Sequence, residues 1–133
     1  MSADNLVKIL FRFYSEILDE ETVETIWATV ANKEYNYYRL GNIPFYVSNV
    51  ASGDVVWAEY SKKEEMLTYR KTVEYSGNST LRVILMDNVH EINSIRSVFE
   101  QMGCLSETLS KKYFVMDVPA TVDYLPVKEK LMN

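Results

Sequence analysis

Alternating apolar and polar residues in the first third of the chain predict β-strands. The segment 6–14 reads LVKILFRFY, and its odd-numbered positions are all apolar, as in a half-exposed strand. The segment 22–31 has apolar residues at helical spacing, but its many β-branched residues favour a strand, which is the interpretation we adopt. We expect residues 35–40 to return as its hairpin partner.

Turn residues divide the stretch from Tyr38 to Tyr60 into short apolar runs. Gly41-Asn42 and Ser52-Gly53-Asp54 are turn signals, and Pro44 lacks the backbone donor that a central strand needs. Residues 54–60 are apolar on both sides and predict a covered strand. Residues 66–75 alternate again and predict the next strand.

The second half of the chain predicts strand, helix, strand, strand, helix. Residues 80–86 and 112–118 are apolar on both faces, which is typical of central strands. Between them, Asn88 and Glu91 have capping-box spacing, an apolar stripe follows, and Gly103 ends the predicted helix. Residues 105–109 form a hairpin with residues 112–118. A second helix covers 121–132, with Pro126 in or near its first turn.

This order of elements predicts an α+β fold built on a ferredoxin-like antiparallel plait. One strand of the plait is missing from the second half, and we expect residues 6–14 to supply it beside residues 80–86. The β-rich segment 22–75 is then an all-β insertion or small barrel. We interpret the 133 residues as a single domain, in which 76–133 and 6–14 form the ferredoxin-like part.

Composition and charge narrow the classes of function. The formal net charge is −5, so the chain repels phosphate backbones and we expect no general affinity for nucleic acids. The single cysteine cannot form an intramolecular disulfide, which fits a reducing cytoplasm. The first residues do not resemble a secretory signal, and no apolar run is long enough to span a membrane. We expect the ten tyrosines to lie mainly on sheet surfaces.

Six residues are candidates for ligand binding because they lie at loop ends or carry a charge or an aromatic ring beside an apolar run. They are Arg39, Asn42, Phe45, Asp54, Asn78 and Arg82. For Arg39, Asn42, Asp54 and Asn78, turn chemistry is the favoured explanation over ligand binding. Arg82 interrupts an apolar strand, and we expect it to be largely buried and paired with Glu107 or Asp117.

No catalytic, metal or cofactor signature is visible in the sequence. His90 is the only histidine and has no evident nucleophile partner, and Cys104 is expected to be a small buried thiol. The four glycines are far apart, so they do not form a phosphate-binding loop. We therefore predict no metal site and no cofactor. Whether the protein is an enzyme stays open, although nothing in the sequence requires it.

Several short motifs, taken as a set, resemble a known family. They include Ile26-Trp27, Tyr38-Arg39, Gly103-Cys104, the NIPFY segment 42–46 and SGNSTLRVIL at 76–85. The chain resembles the bacterial domain of unknown function 4265 family from about residue 6 to residue 131. The resemblance implies a small bacterial cytoplasmic protein and transfers no catalytic residues. Gly41 departs from the acidic residue expected before the NIPFY turn.

Three hypotheses for function follow. The first is a non-enzymatic module that binds a protein partner, in the manner of an immunity protein that neutralises a basic protein. The second is an enzyme or small-ligand binder with a pocket between the β insertion and the plait. The third and weakest is nucleic-acid binding, for which Tyr69, Arg70 and Lys71 are the best candidates.

Overall fold

Residues 6–86 and 91–132 are described by the computed structural model, and they form two compact units along the chain. The first unit ends at Ser76 and the second begins at Gly77. The elements in chain order are β1 (Leu6–Ser15), β2 (Glu20–Asn32), β3 (Tyr37–Leu40), β4 (Val55–Ser61), β5 (Met66–Glu74), β6 (Ser79–Ile84), α1 (Ile92–Gln101), β7 (Leu105–Thr108), β8 (Tyr113–Val118) and α2 (Tyr124–Leu131).

The first unit is a closed five-stranded barrel in which each strand pairs with the next. Successive pairs are antiparallel, and the barrel closes where β1 and β5 meet in parallel at Leu10 and Thr68. Alternate side chains of every strand point inward. Those at the centre are buried and apolar: Ile9, Phe11, Ile26, Ala28, Leu40, Val56 and Ala58. The predictions of strands at 6–14, 22–31, 54–60 and 66–75 are confirmed.

The prediction that residues 6–14 complete a plait beside residues 80–86 is wrong. β1 pairs with β2 from Leu6 opposite Thr29 to Ser15 opposite Glu20, and it also pairs with β5. A hairpin with a four-residue connection closes at small entropic cost, and this one buries Ile9 and Phe11 in the barrel. The all-β part therefore includes β1 and is not an insertion into the second part.

The second unit is a three-stranded antiparallel sheet, ordered β6-β8-β7, with two helices. β8 is the central strand, and all six of its residues are buried. The expectation that residues 80–86 form a second central strand is wrong, because β6 pairs only with β8 among the described strands. One face of the sheet packs with the helices around Phe99, Phe114, Met116 and Val127.

The helix ends follow local capping chemistry. Glu91 is itself the N-cap of α1, and its carboxylate accepts from the backbone N–H of Asn93 at 3.1 Å and of Ser94 at 3.2 Å. The other half of the predicted capping box, Asn88, lies outside the described residues. Gly103 follows α1 with a φ of +97°, as expected for the residue that stops a helix.

The second helix begins three residues later than predicted. Asp123 caps α2 by accepting from Leu125 N–H at 3.2 Å, and Pro126 lies in the first turn, where its missing N–H is tolerated. Neither described helix has the length and apolar content needed to cross a membrane.

Candidate binding site

The long connection between β3 and β4, residues 41–54, is anchored by a carboxylate from β2. Glu24 accepts three backbone hydrogen bonds, from Phe45 N–H at 2.7 Å, Tyr46 N–H at 3.0 Å and Val47 N–H at 2.9 Å. Val47 and Val50 of the same connection pack in the barrel core. Glu24 therefore fixes a segment that is part of the core, although no sequence signal pointed to it.

Three of the predicted ligand residues have structural roles around this connection. Arg39 donates from Nη1 to the Gly53 carbonyl at 2.9 Å. Asn42 accepts at Oδ1 from the backbone N–H of Trp27 at 2.8 Å. Phe45 donates its backbone N–H to Glu24, as described above. These contacts stabilise turns, and turn chemistry was the explanation that we weighed against ligand binding in the sequence.

Asp54 is buried, with 2% of its surface exposed, and it joins the β3–β4 connection to the segment that follows β5. Its carboxylate accepts from the backbone N–H of Ala51 at 2.9 Å and of Ser76 at 2.8 Å. A buried carboxylate that accepts two backbone bonds is satisfied in place. Asp54 is thus a structural residue of the β3–β4 connection.

The remaining two predicted residues belong to the second unit. Asn78 accepts at Oδ1 from Ala120 N–H at 2.9 Å and so joins the start of β6 to the segment after β8. Arg82 is half-buried rather than largely buried, and it lies opposite Val115. Val115 separates Arg82 from Glu107 across the sheet. The pairing of Arg82 with Glu107 or Asp117 stays a prediction.

An aromatic groove on the outer face of the barrel is the best candidate site in the first unit. The strand register places Tyr37 opposite Trp57 and Trp57 opposite Lys71, so these side chains form a row across β3, β4 and β5. Tyr35 stacks on Tyr37 with ring centroids 5.7 Å apart, and Glu34 lies beside it. Together the five residues, which we call the aromatic groove, line a concave volume of about 410 Å³.

The polar ends of the groove side chains are available to a ligand. Tyr35 is 57% exposed, and Tyr37 and Trp57 are half-buried. Among the described residues, neither the tyrosine hydroxyls, the indole N–H, nor the charged ends of Glu34 and Lys71 take part in a hydrogen bond or ion pair. Aromatic rings with free donors at their tips are characteristic of protein interfaces.

Sequence reasoning missed most of this groove and placed its aromatic candidate elsewhere. Tyr69, proposed as a nucleic-acid contact, packs against the core and stacks on Phe11 with ring centroids 4.6 Å apart. Arg70 is engaged with Glu59 at 3.6 Å. Of that trio only Lys71 lines the groove. The pair of tyrosines at positions 35 and 37 was the available signal, although Tyr35 lies in the turn before β3 and only Tyr37 lies on the strand.

The described residues provide no obvious reaction centre. No group of three or more histidine, cysteine, aspartate or glutamate side chains lies close enough within them to hold a metal ion. Cys104 is 1% exposed, and burial, aided by the nearby charge of Asp117, raises the pKa of its thiol. His90 lies outside the described residues.

Comparison with known proteins agrees with the motif set noted in the sequence. The family model described as "Domain of unknown function (DUF4265)" matches residues 24–133. The chain belongs to the DUF4265 family. The match begins within β2 and includes every element of the second unit. No curated protein matches this DUF4265 chain.

A solved structure supports the fold of this DUF4265 protein. It is a crystal structure of a hypothetical protein from Neisseria gonorrhoeae, with a TM-score of 0.72 and 17% sequence identity. The likeness covers 86% of this chain and 76% of the other. At this identity the likeness shows the fold alone: mostly antiparallel β-sheet with two helices.

Nothing in the local structure of this DUF4265 chain requires glycine at position 41, where the resemblance led us to expect an acidic residue. Gly41 donates its N–H to the Trp27 carbonyl at 2.8 Å, and a Cβ at this position would lie 3.4 Å from that oxygen. The position tolerates a side chain without a clash, so glycine is not required by space.

Proposed function

We propose that this protein is a non-enzymatic binding module whose barrel holds a partner protein in the aromatic groove. The observation that carries the proposal is the row of Tyr37, Trp57 and Lys71, extended by Tyr35 and Glu34, with polar ends that are not engaged within the described chain. Tyrosine and tryptophan supply large contact areas at low entropic cost, which is why they dominate binding hot spots.

The charges of the groove favour a segment with a basic residue. At one end, the Glu34 carboxylate lies beside the exposed Tyr35 ring, so a lysine or arginine of the partner would gain an ion pair and a cation–π contact. At the other end, Lys71 suits a carbonyl or carboxylate of the same segment. This polarity gives the partner a preferred direction in the groove.

The distribution of charge along the chain also supports a basic partner. Residues 1–76 contain twelve acidic and eight basic residues, a net charge of −4, whereas the whole chain carries −5. The acidic excess is therefore concentrated in the barrel unit. Such a surface speeds the encounter with a basic protein and repels nucleic acids.

The proposal also includes the cellular role and the fold type that the sequence predicted. We expect a bacterial cytoplasmic protein that neutralises a basic protein in the manner of an immunity protein. We also interpret the second unit as a ferredoxin-like plait reduced to three strands. Its chain order, β6-α1-β7-β8-α2, and sheet order, β6-β8-β7, agree with a plait in which the fourth strand is lacking.

The test is quantitative affinity capture from the source cell with tagged variants. The full chain, a Tyr35→Ala/Trp57→Ala double variant and a Tyr60→Ala control are compared by mass spectrometry. Tyr60 is also on β4 and is 63% exposed, but it does not line the groove. We expect one partner to be retained by the full chain and by the control and to be lost with the double variant.

The captured partner is then purified and titrated calorimetrically. Affinity should fall steeply with added salt, and Glu34→Gln should weaken binding by about tenfold, as expected for one charge-assisted contact. Recovery of no specific partner, or equal recovery by all three proteins, would refute the proposed function.

A further inference from the structure

The second unit contains an apolar groove along the outer edge of β6, well separated in sequence from the barrel residues discussed above. It has a volume of about 450 Å³ and lies between the end of β6 and the two helices of the same unit. Its lining includes Ile84, Met86, Val98, Phe99, Leu131 and Lys130. Volumes of this size accommodate several side chains of a bound segment.

Three of the apolar residues that line this groove are exposed. Ile84 is 51% exposed, Met86 90% and Val98 39%. Scattered apolar residues on a surface need no explanation, but a contiguous concave set marks an interaction site. The groove is thus a place where a ligand would bury apolar surface.

The β6 edge provides backbone hydrogen-bonding groups along the same groove. Leu85 donates its N–H to the Lys112 carbonyl at 2.7 Å, so its backbone points toward β8. Because backbone groups alternate along a strand, the N–H and C=O of Ile84 point away from β8. Among the described residues they have no hydrogen-bond partner, since β6 pairs only with β8.

Lys130 alone carries a charge among the described residues that line the groove. No ion pair within the described chain involves its ammonium group. An isolated cation at the edge of an apolar groove favours a ligand that combines apolar groups with an anion.

We propose that this groove binds the C-terminal end of a partner protein as an added β-strand. The bound segment pairs with the outer edge of β6 at Ile84, places an apolar terminal side chain against Val98 and Phe99, and presents its free α-carboxylate to Lys130. Strand addition and capture of a C-terminal carboxylate are established modes of peptide recognition.

The apolar lining, the charge of Lys130 and the backbone groups of Ile84 together favour a C-terminal peptide over other ligands. A fatty acid would satisfy the apolar lining and Lys130, but it would leave the backbone groups of Ile84 without partners. An internal segment of a protein would pair with the strand edge, but it would present no terminal carboxylate to Lys130. A C-terminal peptide satisfies all three.

The first experiment selects ligands for the full chain from a library of random C-terminal hexapeptides. We expect enrichment of sequences with an apolar last residue. The best peptide is then labelled with fluorescein at its N-terminus and titrated by fluorescence anisotropy. Its C-terminal amide should bind at least about tenfold more weakly, as should the free acid to Lys130→Gln.

Control variants distinguish the proposed binding mode from nonspecific binding. Lys128→Gln changes a neighbouring exposed lysine on α2 that does not line the groove, and it should leave the affinity unchanged. Val98→Glu should abolish binding, whereas Ser97→Glu, on the adjacent exposed position, should not. A peptide N-methylated at the residue opposite Ile84 should bind about tenfold more weakly, because it has lost one backbone hydrogen bond.

Several outcomes would overturn the proposal. They are the absence of any enriched sequence, equal binding of acid and amide, and no effect of N-methylation. Binding of laurate that depends on Lys130 without binding of any peptide would assign the groove to a lipid instead. A dimer in analytical ultracentrifugation that Val98→Glu converts to monomer would make the groove a contact between two copies of the chain. None of these results would bear on the aromatic groove of the barrel.

Discussion

Replacing Glu24 with alanine removes the carboxylate that holds the β3–β4 connection to the barrel. The side chain is half-buried and accepts backbone bonds from Phe45, Tyr46 and Val47 at 2.7–3.0 Å. Hydrogen bonds to a charged group contribute about 1.5–3 kcal/mol each. Three such bonds share one carboxylate, and water recovers part of the loss, so we expect the free energy of unfolding to fall by about 2–4 kcal/mol.

Replacing Glu24 with glutamine should lower the free energy of unfolding less than replacing it with alanine. One carboxylate oxygen of Glu24 accepts from Tyr46 and Val47, and the other accepts from Phe45. Glutamine keeps one acceptor oxygen and places an amide N–H₂ in the other position, facing a donor. We therefore expect Glu24→Gln to lose about half as much stability as Glu24→Ala, or about 1–2 kcal/mol.

Urea unfolding followed by tryptophan fluorescence is the appropriate assay. Both tryptophans, Trp27 and Trp57, lie on barrel strands, so the signal reports this unit. With an m-value of about 1 kcal/mol/M for so small a unit, the midpoint of Glu24→Ala should fall by about 2 M or more. Glu21→Ala is the matched control on the same strand, because its carboxylate is 68% exposed and contacts Arg12 only at 3.6 Å.

Glu21→Ala should change the free energy of unfolding by less than about 0.5 kcal/mol, because exposed ion pairs usually contribute little to stability. If Glu24→Ala also falls within that range, the three backbone bonds do not stabilise the connection, and the reasoning is refuted. The connection would then be held by its other contacts, among them the packing of Val47 and Val50 in the core and the bond between Asn42 and Trp27.

Three further predictions concern the second unit. Gly103→Ala should destabilise it by about 1–3 kcal/mol in thermal unfolding followed by circular dichroism, because φ is +97° and the new Cβ would lie 2.9 Å from Val122 Cγ2. Cys104 should react with a thiol reagent in urea but not in the native state at neutral pH, because burial raises its pKa; rapid native labelling would contradict this. The backbone bond from Asn93 lowers the pKa of the Glu91 carboxyl below its ordinary value, so its capping contribution is present above the ordinary pKa and is lost as the pH falls through the lowered pKa. Hydrogen-exchange protection of α1 should follow this course, and Glu91→Gln should remove the dependence.

Local sequence determined most of the individual elements. Alternation in residues 6–14 and β-branching in residues 22–31 predicted strands that are present as β1 and β2. The apolar stripe before Gly103 predicted α1, and Pro126 marked the first turn of α2. These signals succeed because backbone preferences and side-chain periodicity act over a few residues.

The tertiary structure alone decided which strands pair and which residues line the candidate site. Residues 6–14 could pair either with the next strand or with residues 80–86, and their alternating pattern is the same in both arrangements. The aromatic groove joins residues from three strands through the register of Tyr37, Trp57 and Lys71, which no local pattern encodes. Pairing between strands depends on the summed burial of distant residues, and that sum exists only once the barrel is closed.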